Sequence, residues 1–172
     1  IAISVTSQLF MIPMSLAIAL TIRVGTYYGE QNWQAMRKVQ YLGLITATIL
    51  AILTMILLWV FRNEIVALYT SDLIVTQIAV YLILFAIAYQ LMDAWQISAA
   101  GCLRGMQDTK GPMWITMLAY WVIAFPVGVY LSRFTEMGAA GVWVGLIVGL
   151  SVACVLLLAR LYSNNRRLSL KV

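Results

Sequence analysis

One carboxylate in this 172-residue chain stands where a carboxylate is expensive. Asp93 lies inside an apolar stretch, 11 residues before Arg104. If the stretch is a membrane-spanning helix, roughly 16 Å separates Asp93 from the interface that Arg104 marks. A charged side chain at that depth costs at least ~2.5–3.5 kcal/mol. Such a residue persists when it faces a water-filled cavity, pairs with another group, or binds protons or cations. The plain alternative is a neutral Asp shared in a helix–helix hydrogen bond. The other five acidic residues, Glu30, Glu64, Asp72, Asp108 and Glu136, fall between apolar stretches.

The residues around Asp93 suit a cavity wall. Tyr89, Asp93, Gln96 and Ala100 follow i, i+4, i+7, i+11, one face of a helix, with Ala86 beside it. Gln90 lies about 100° round from Tyr89, within reach of a neighbouring helix. Gln96, Gln90 and Ala86 are read as cavity lining. Asp93 offers carboxylate oxygens to a hard cation such as Na⁺, and the Tyr89 hydroxyl is a further oxygen. Other chemistries are poorly provided for. There is no histidine, and Cys102 and Cys154 stand far apart, outside any metal-binding spacing. The apolar stretches hold no second carboxylate and no Ser/His pair, and no phosphate loop or nucleophile elbow is present. An enzyme is therefore not expected, nor a cofactor beyond a coupling ion, Na⁺ or H⁺.

The elements that must position Asp93 are long and apolar. Of all residues 63% are hydrophobic and 10% charged, against roughly a quarter charged in soluble domains, so lipid must cover the surface. Five stretches, at about 2–22, 39–60, 78–103, 113–131 and 141–161, are each long enough to cross a ~30 Å hydrocarbon core. The expected fold is an all-α membrane protein of five transmembrane helices with a tail at 162–172. The basic residues that give the net charge of +5 read as topology signals, not as a nucleic-acid surface. Arg23, Arg37, Lys38, Arg104, Lys110, Arg160, Arg166, Arg167 and Lys171 fall in one set of alternate compartments, and Arg62 and Arg133 in the other. The positive-inside rule then places the C-terminus in the cytoplasm and the N-terminus outside. An outward start without a signal sequence leads us to expect at least one preceding helix. Tyr27, Tyr28, Trp33, Tyr41, Trp59, Tyr69 and Tyr162 sit at interface depths, as aromatic belts do.

Pro13 and Pro126 fall inside the first and fourth stretches, where each removes a backbone hydrogen bond and is expected to kink its helix. Whether such a bend moves or stands still is open. Gly141, Gly145 and Gly149 form a smooth stripe on the last helix, suited to close packing within the bundle or, less simply, to dimerisation.

These motifs together resemble a known family. Phe10-Met-Ile-Pro-Met-Ser, Ile22-Arg-Val-Gly and Gly29-Glu30 resemble the eighth helix and following loop of NorM-type MATE (multidrug and toxic compound extrusion) exporters. Tyr89-Gln-Leu-Met-Asp-Ala-Trp-Gln with Ala100-Gly-Cys-Leu-Arg-Gly-Met-Gln-Asp-Thr is similar to their tenth helix and its exit loop. Tyr120-Trp-Val-Ile-Ala-Phe-Pro-Val-Gly is similar to the eleventh, and Gly138-Ala-Ala-Gly-Val-Trp-Val-Gly with Gly149-Leu-Ser to the twelfth. The resemblance covers essentially the whole chain. It implies five helices of a six-helix C-terminal lobe, in a twelve-helix antiporter of two lobes. Such proteins export cationic, amphipathic drugs and dyes in exchange for Na⁺ or H⁺. In the family, the tenth-helix carboxylate and the tyrosine one turn before it belong to a cation site, and these match Asp93 and Tyr89. Position 124 is Ala where the family pattern has Gly. The seventh helix, which supplies another acidic residue, and the first lobe are absent from the chain.

The expectation is therefore part of a cation-coupled multidrug antiporter of the bacterial inner membrane. Its partners would be the lipid bilayer, the missing N-terminal lobe and preceding helix, and cationic amphipathic small molecules. A related lipid-linked sugar flippase would have more basic cavity walls, and no Arg or Lys lies deep in a stretch. A non-transporting membrane subunit or inactive fragment is the other alternative.

Overall fold

The computed structural model describes residues 2–69, 72–135 and 138–169. Glu136, Lys171 and the last part of the expected tail lie outside these residues. The described chain is helical throughout: α1 (Ala2–Leu9), α2 (Met11–Gly29), α3 (Trp33–Val60), α4 (Arg62–Ala67), α5 (Leu73–Gly105), α6 (Lys110–Leu118), a π-helical segment (Ala119–Ala124), α7 (Phe125–Phe134) and α8 (Ala139–Ser169). Among the described residues, five stretches are long and apolar enough to cross a membrane: Ser7–Gly29, Trp33–Val60, Ile74–Gly105, Lys110–Phe134 and Ala139–Leu168. All five overlap the stretches read from hydropathy, but most run further. The first extends seven residues beyond Ile22, and the last continues to Leu168. Residues 162–169, read as the start of a tail, are helix. Hydropathy fades where Arg and Asn begin, whereas backbone hydrogen bonding continues past the bilayer.

Local chemistry sets the ends. The Asn32 side chain caps α3 by accepting from the Ala35 N–H at 3.1 Å, and Asp72 caps α5 by accepting from Ile74 at 2.8 Å. At the other end of α5, Gln107 takes a left-handed conformation, φ 62°. Its N–H reaches the Arg104 carbonyl at 3.0 Å and the Asp108 N–H reaches Leu103 at 2.9 Å, the paired bonds of a Schellman motif. Gln31, φ 56°, closes α2 in the same way.

α5 is the axis of the bundle, packed by α2, α3 and α8. α2 approaches it without side chains between: a Cβ on Gly101 would stand 2.6 Å from the Ala17 carbonyl oxygen. The Thr21 hydroxyl donates to the Gly101 carbonyl at 3.0 Å across that contact. The glycine stripe of α8 packs within the bundle, against the π segment and α7. A Cβ on Gly145 would meet the Gly128 backbone at 2.5 Å, and Ala124 lies against Gly149. The apolar core is thickest near the end of α5 that carries Arg104, where Val24, Met36, Cys102, Leu103 and Leu157 are fully buried. Large apolar side chains face outward along every span, Ile49, Tyr81, Trp121 and Val155 among them. Water would not tolerate that surface; hydrocarbon does.

Two prolines mark breaks in regularity. The break between α1 and α2 falls at Phe10, three residues before Pro13. Pro13 has no N–H for the Leu9 carbonyl, and its ring would press on that carbonyl in a regular helix. In the fourth span the π turn runs up to Phe125, whose N–H bonds to the Tyr120 carbonyl five residues back. The added residue relaxes the turn into which the Pro126 ring projects.

Candidate functional site

Asp93 sits midway along α5 and lines an open cleft of about 620 Å³. The cleft wall is one face of α5, with Tyr89, Asp93, Gln96, Ala100 and Arg104 down its length. Phe10 from the α1–α2 break and Thr116 and Tyr120 from the fourth span complete it. The helical spacing read from the sequence thus becomes a physical wall. The Tyr89 hydroxyl donates to the Asp93 carboxylate at 3.3 Å, and the Tyr120 hydroxyl donates to the Gln96 side-chain oxygen at 3.4 Å. Both bonds are at the long limit of the useful range. Tyr89 is steadied from behind by an edge-on contact with Trp143 of α8, ring centres 6.3 Å apart.

Asp93 is only 3% exposed, and among the described residues it has no ion pair. A carboxylate held in a span with one long hydrogen bond is incompletely compensated. The groups around it are hard oxygen donors: the carboxylate, two phenolic hydroxyls, the Gln96 amide and the Thr116 hydroxyl. With one negative charge, such a set suits a proton, a monovalent hard cation or an organic ammonium better than a divalent metal. No cluster of three or more His, Cys, Asp or Glu exists among the described residues.

Two residues read as cavity lining are not on the cleft. Gln90 is 2% exposed and points to the other side of α5, where it meets Pro13, Leu16, Ala51 and Thr54 of α2 and α3 in a closed seam. Ala86 is packed in an apolar cluster with Val66, Ile83 and Trp143. On α5 the cleft face is narrow, and a 100° rotation leads into helix packing. Pro13 shares the Gln90 seam and does not line the cleft, and Pro126 likewise acts at a distance, next to the π turn that carries Tyr120. The sequence reading missed Tyr120 and Thr116 as cleft residues. Their spacing of four in the fourth stretch was the available signal. Phe10 carried none, because the helix break that turns it toward the cleft is set by Pro13.

A second, apolar groove of about 330 Å³ lies between Trp121, Phe125, Val142 and Leu146, with no acidic or basic side chain.

Another polar cluster lies at the Arg104 end of α5. Asp108 accepts from Arg160 Nε at 2.6 Å and from a terminal nitrogen of the same guanidinium at 3.0 Å. It also accepts from Asn164 at 3.0 Å and from the Gly111 N–H at 3.3 Å. The Arg160 guanidinium, more than the Asn164 and Gly111 donors, holds the Asp108 carboxyl below the usual carboxylate range. Beside it, Asn165 donates to the Gln40 oxygen at 2.7 Å, Gln40 donates to the Met106 sulfur at 3.4 Å, and Arg37 donates to the Asn165 carbonyl at 3.3 Å.

Comparison with known proteins gives these features a context. The family model described as MatE matches residues 1–130. A protein of Acinetobacter baylyi named "Probable multidrug resistance protein NorM" is 73% identical over 98% of this chain and 38% of its own length. The "Multidrug resistance protein NorM" of Photobacterium profundum is 43% identical over 94% of this chain and 36% of its own. Among solved structures, the fold matches an inward-facing multidrug resistance MATE family transporter of the MOP superfamily with a TM-score of 0.85, at 15% identity, over 98% of this chain and 40% of that one. It also matches a MATE protein in the bent conformation with a TM-score of 0.81, at 16% identity, over 99% of this chain and 38% of that one. The chain spans a little over a third of the length of these relatives.

Proposed function

The chain belongs to the MatE family, a family of transporters and not of enzymes, and from that premise we propose that it forms most of the C-terminal lobe of a cation-coupled multidrug antiporter in the bacterial inner membrane. The observation that carries the reading is Asp93: a buried mid-span carboxylate without an ion-pair partner among the described residues, on the wall of an open cleft. In this reading Asp93 binds the coupling ion, Na⁺ or H⁺, and Tyr89 assists through its hydroxyl. Gln96, Tyr120 and Thr116 line the path of cationic, amphipathic substrates, whose positive charge competes for the same carboxylate.

Coupling then follows from linkage. An ion that neutralises Asp93 lowers the affinity for an organic cation, and a bound organic cation lowers the affinity for the ion by the same factor. Alternating access requires a second bundle to rock against this one, so the missing lobe is the required partner. The end bearing Arg37, Arg104 and Arg166 faces the cytoplasm under the positive-inside rule. The test places Asp93→Asn in the full-length transporter, reconstituted in vesicles with an imposed ion gradient. Dye efflux driven by the gradient should vanish, and wild-type rates would overturn the assignment.

A further inference from the structure

Gln90 stands at the middle of the span Ile74–Gly105. A side-chain amide at that depth has no bulk water to bond, and hydrocarbon makes an amide without a partner costly. Yet Gln90 is 2% exposed and has no hydrogen-bond partner among the described residues. Asp93, three residues on, lines the open cleft. Gln90 lines instead a small cavity of about 10 Å³ between α2, α3 and α5.

That cavity has two polar walls. One is the Gln90 amide of α5. The other is the Thr54 hydroxyl of α3, on a side chain that is itself buried. The hydroxyl gives its hydrogen to the Leu50 and Ala51 carbonyls of its own helix, at 3.0 and 2.9 Å. Its oxygen is therefore left to accept. The remaining walls are apolar, Ile12, Pro13 and Leu16 of α2 among them. Size and chemistry together select the occupant. A space of about 10–15 Å³ holds one water, and a buried water needs at least two polar partners. A hard cation would need more oxygens than two neutral groups supply. An apolar molecule would leave the amide bare.

We infer that the α2–α3–α5 seam binds one water molecule, which accepts from the Gln90 amide and donates to the Thr54 hydroxyl. The water satisfies the amide and joins α5 to α3 by a link that spares α2. α2 is pinned elsewhere, where Thr21 donates to the Gly101 carbonyl at 3.0 Å. From Ile12 to Leu16 it lays only apolar side chains on the seam. This half of α2 shifts against the bridged pair without breaking a polar bond, and Phe10 at its end is a wall of the Asp93 cleft.

The test uses the full-length transporter in lipid nanodiscs, pulsed with X-rays and read by mass spectrometry. Radiolysis turns a bound water into a hydroxyl radical, which oxidises the side chains beside it. Pro13, Leu16 and Leu50, which line the cavity, should be labelled although lipid and protein shut out bulk water. Gln90→Met and Thr54→Val are each close in shape to the residue replaced. In both, the label should fall about five-fold, as the loss of one hydrogen bond to the water implies. Thr54→Ser keeps the hydroxyl and should keep the label. Met113, on the open cleft, reports bulk water and should be labelled alike in the parent and every variant. No seam label in the parent would overturn the site, as would an undiminished label in Gln90→Met or Thr54→Val. If Met113 changes in Gln90→Met, the fold is disturbed there, and the contrast between Thr54→Val and Thr54→Ser decides. A seam label that falls when Na⁺ replaces K⁺ would overturn water in favour of a cation.

Discussion

Two carboxylates stand 15 residues apart along and just beyond α5, and the bundle treats them in opposite ways. Asp108 receives four donors, the shortest at 2.6 Å, from α8 and from the start of α6. Asp93 receives one donor at 3.3 Å, from its own helix. The contrast runs against cost. Asp93 lies where an uncompensated charge is dear, and Asp108 lies near water, where it is cheap. A fold selected only for stability would spend its donors in the other order. The difference separates a carboxylate that closes the structure from one that the bundle leaves largely uncompensated, as the proposed ion site requires.

The largest expected effect tests that contrast directly. In the full-length transporter, Asp93→Asn should reduce gradient-driven efflux at least a hundred-fold and leave the melting temperature in detergent unchanged or higher, since a buried charge has gone. Asp108→Asn should do the reverse: efflux within a few-fold of normal, and a lower melting temperature. If Asp108→Asn abolishes coupling without loss of stability, the division between the two sites fails.

Tyr89→Phe sharpens the same comparison on the Asp93 side. It removes a single long hydrogen bond to a charged group, worth about 1 kcal/mol. If Na⁺ is the coupling ion, its apparent affinity should fall about five-fold because the phenolic oxygen has gone. If H⁺ is, its affinity should rise by a similar factor because the carboxylate has lost a donor. In both cases the maximal efflux rate stays near normal. Ion titrations of transport in vesicles would show this. A collapse of the rate at saturating ion would mean that the tyrosine does more than supply an oxygen.

What the sequence made legible follows from which forces leave a local trace. The five spans, the Asp93 face and the glycine stripe are periodic patterns within one helix, and the fold displays them. A helix wheel has no partners on it, so it offered Gln90 and Ala86 as lining while leaving open the neighbouring-helix contact that Gln90 makes. Gln90 is polar and one residue from Tyr89, yet α2 and α3 close over it. Phe10 reaches the cleft at the backbone break before Pro13, which spacing does not display, whereas Tyr120 shares the face of Thr116 at a spacing of four that the sequence did display. Asp108 read as a loop residue, since its four donors come from α6 and α8, up to 56 residues away. Interactions that depend on tertiary approach have no signature in spacing.

Acidity distinguishes the Asp108 cluster by a smaller, graded effect. Its folded pKa is held below its unfolded value of about 3.9. Its contribution to stability is therefore full above about pH 4 and is lost only as pH falls through the depressed folded value. The melting-temperature difference between the parent and Asp108→Asn should be flat from pH 8 to 5 and close below pH 4. The cluster is partly open to solvent, so the plateau should be about 1 kcal/mol, or a few degrees. A difference that closes near pH 6 would contradict the tight pairing with Arg160.

The smallest effect concerns the turn that delivers Asp108 to α8. Gln107 occupies the left-handed position of the Schellman motif, where a side chain costs roughly 1 kcal/mol and glycine costs little. Gln107→Gly relieves that strain and also loosens the unfolded chain, so the two effects partly cancel. The net gain should be under about 1 kcal/mol, seen as a rise of one or two degrees. The rise should persist in Asp108→Asn, because the turn and the carboxylate act through different atoms. If it disappears in that background, the turn is held in place by the Arg160 pair and not by its own backbone bonds. The Asp108 cluster would then shape the end of α5 as well as fasten it.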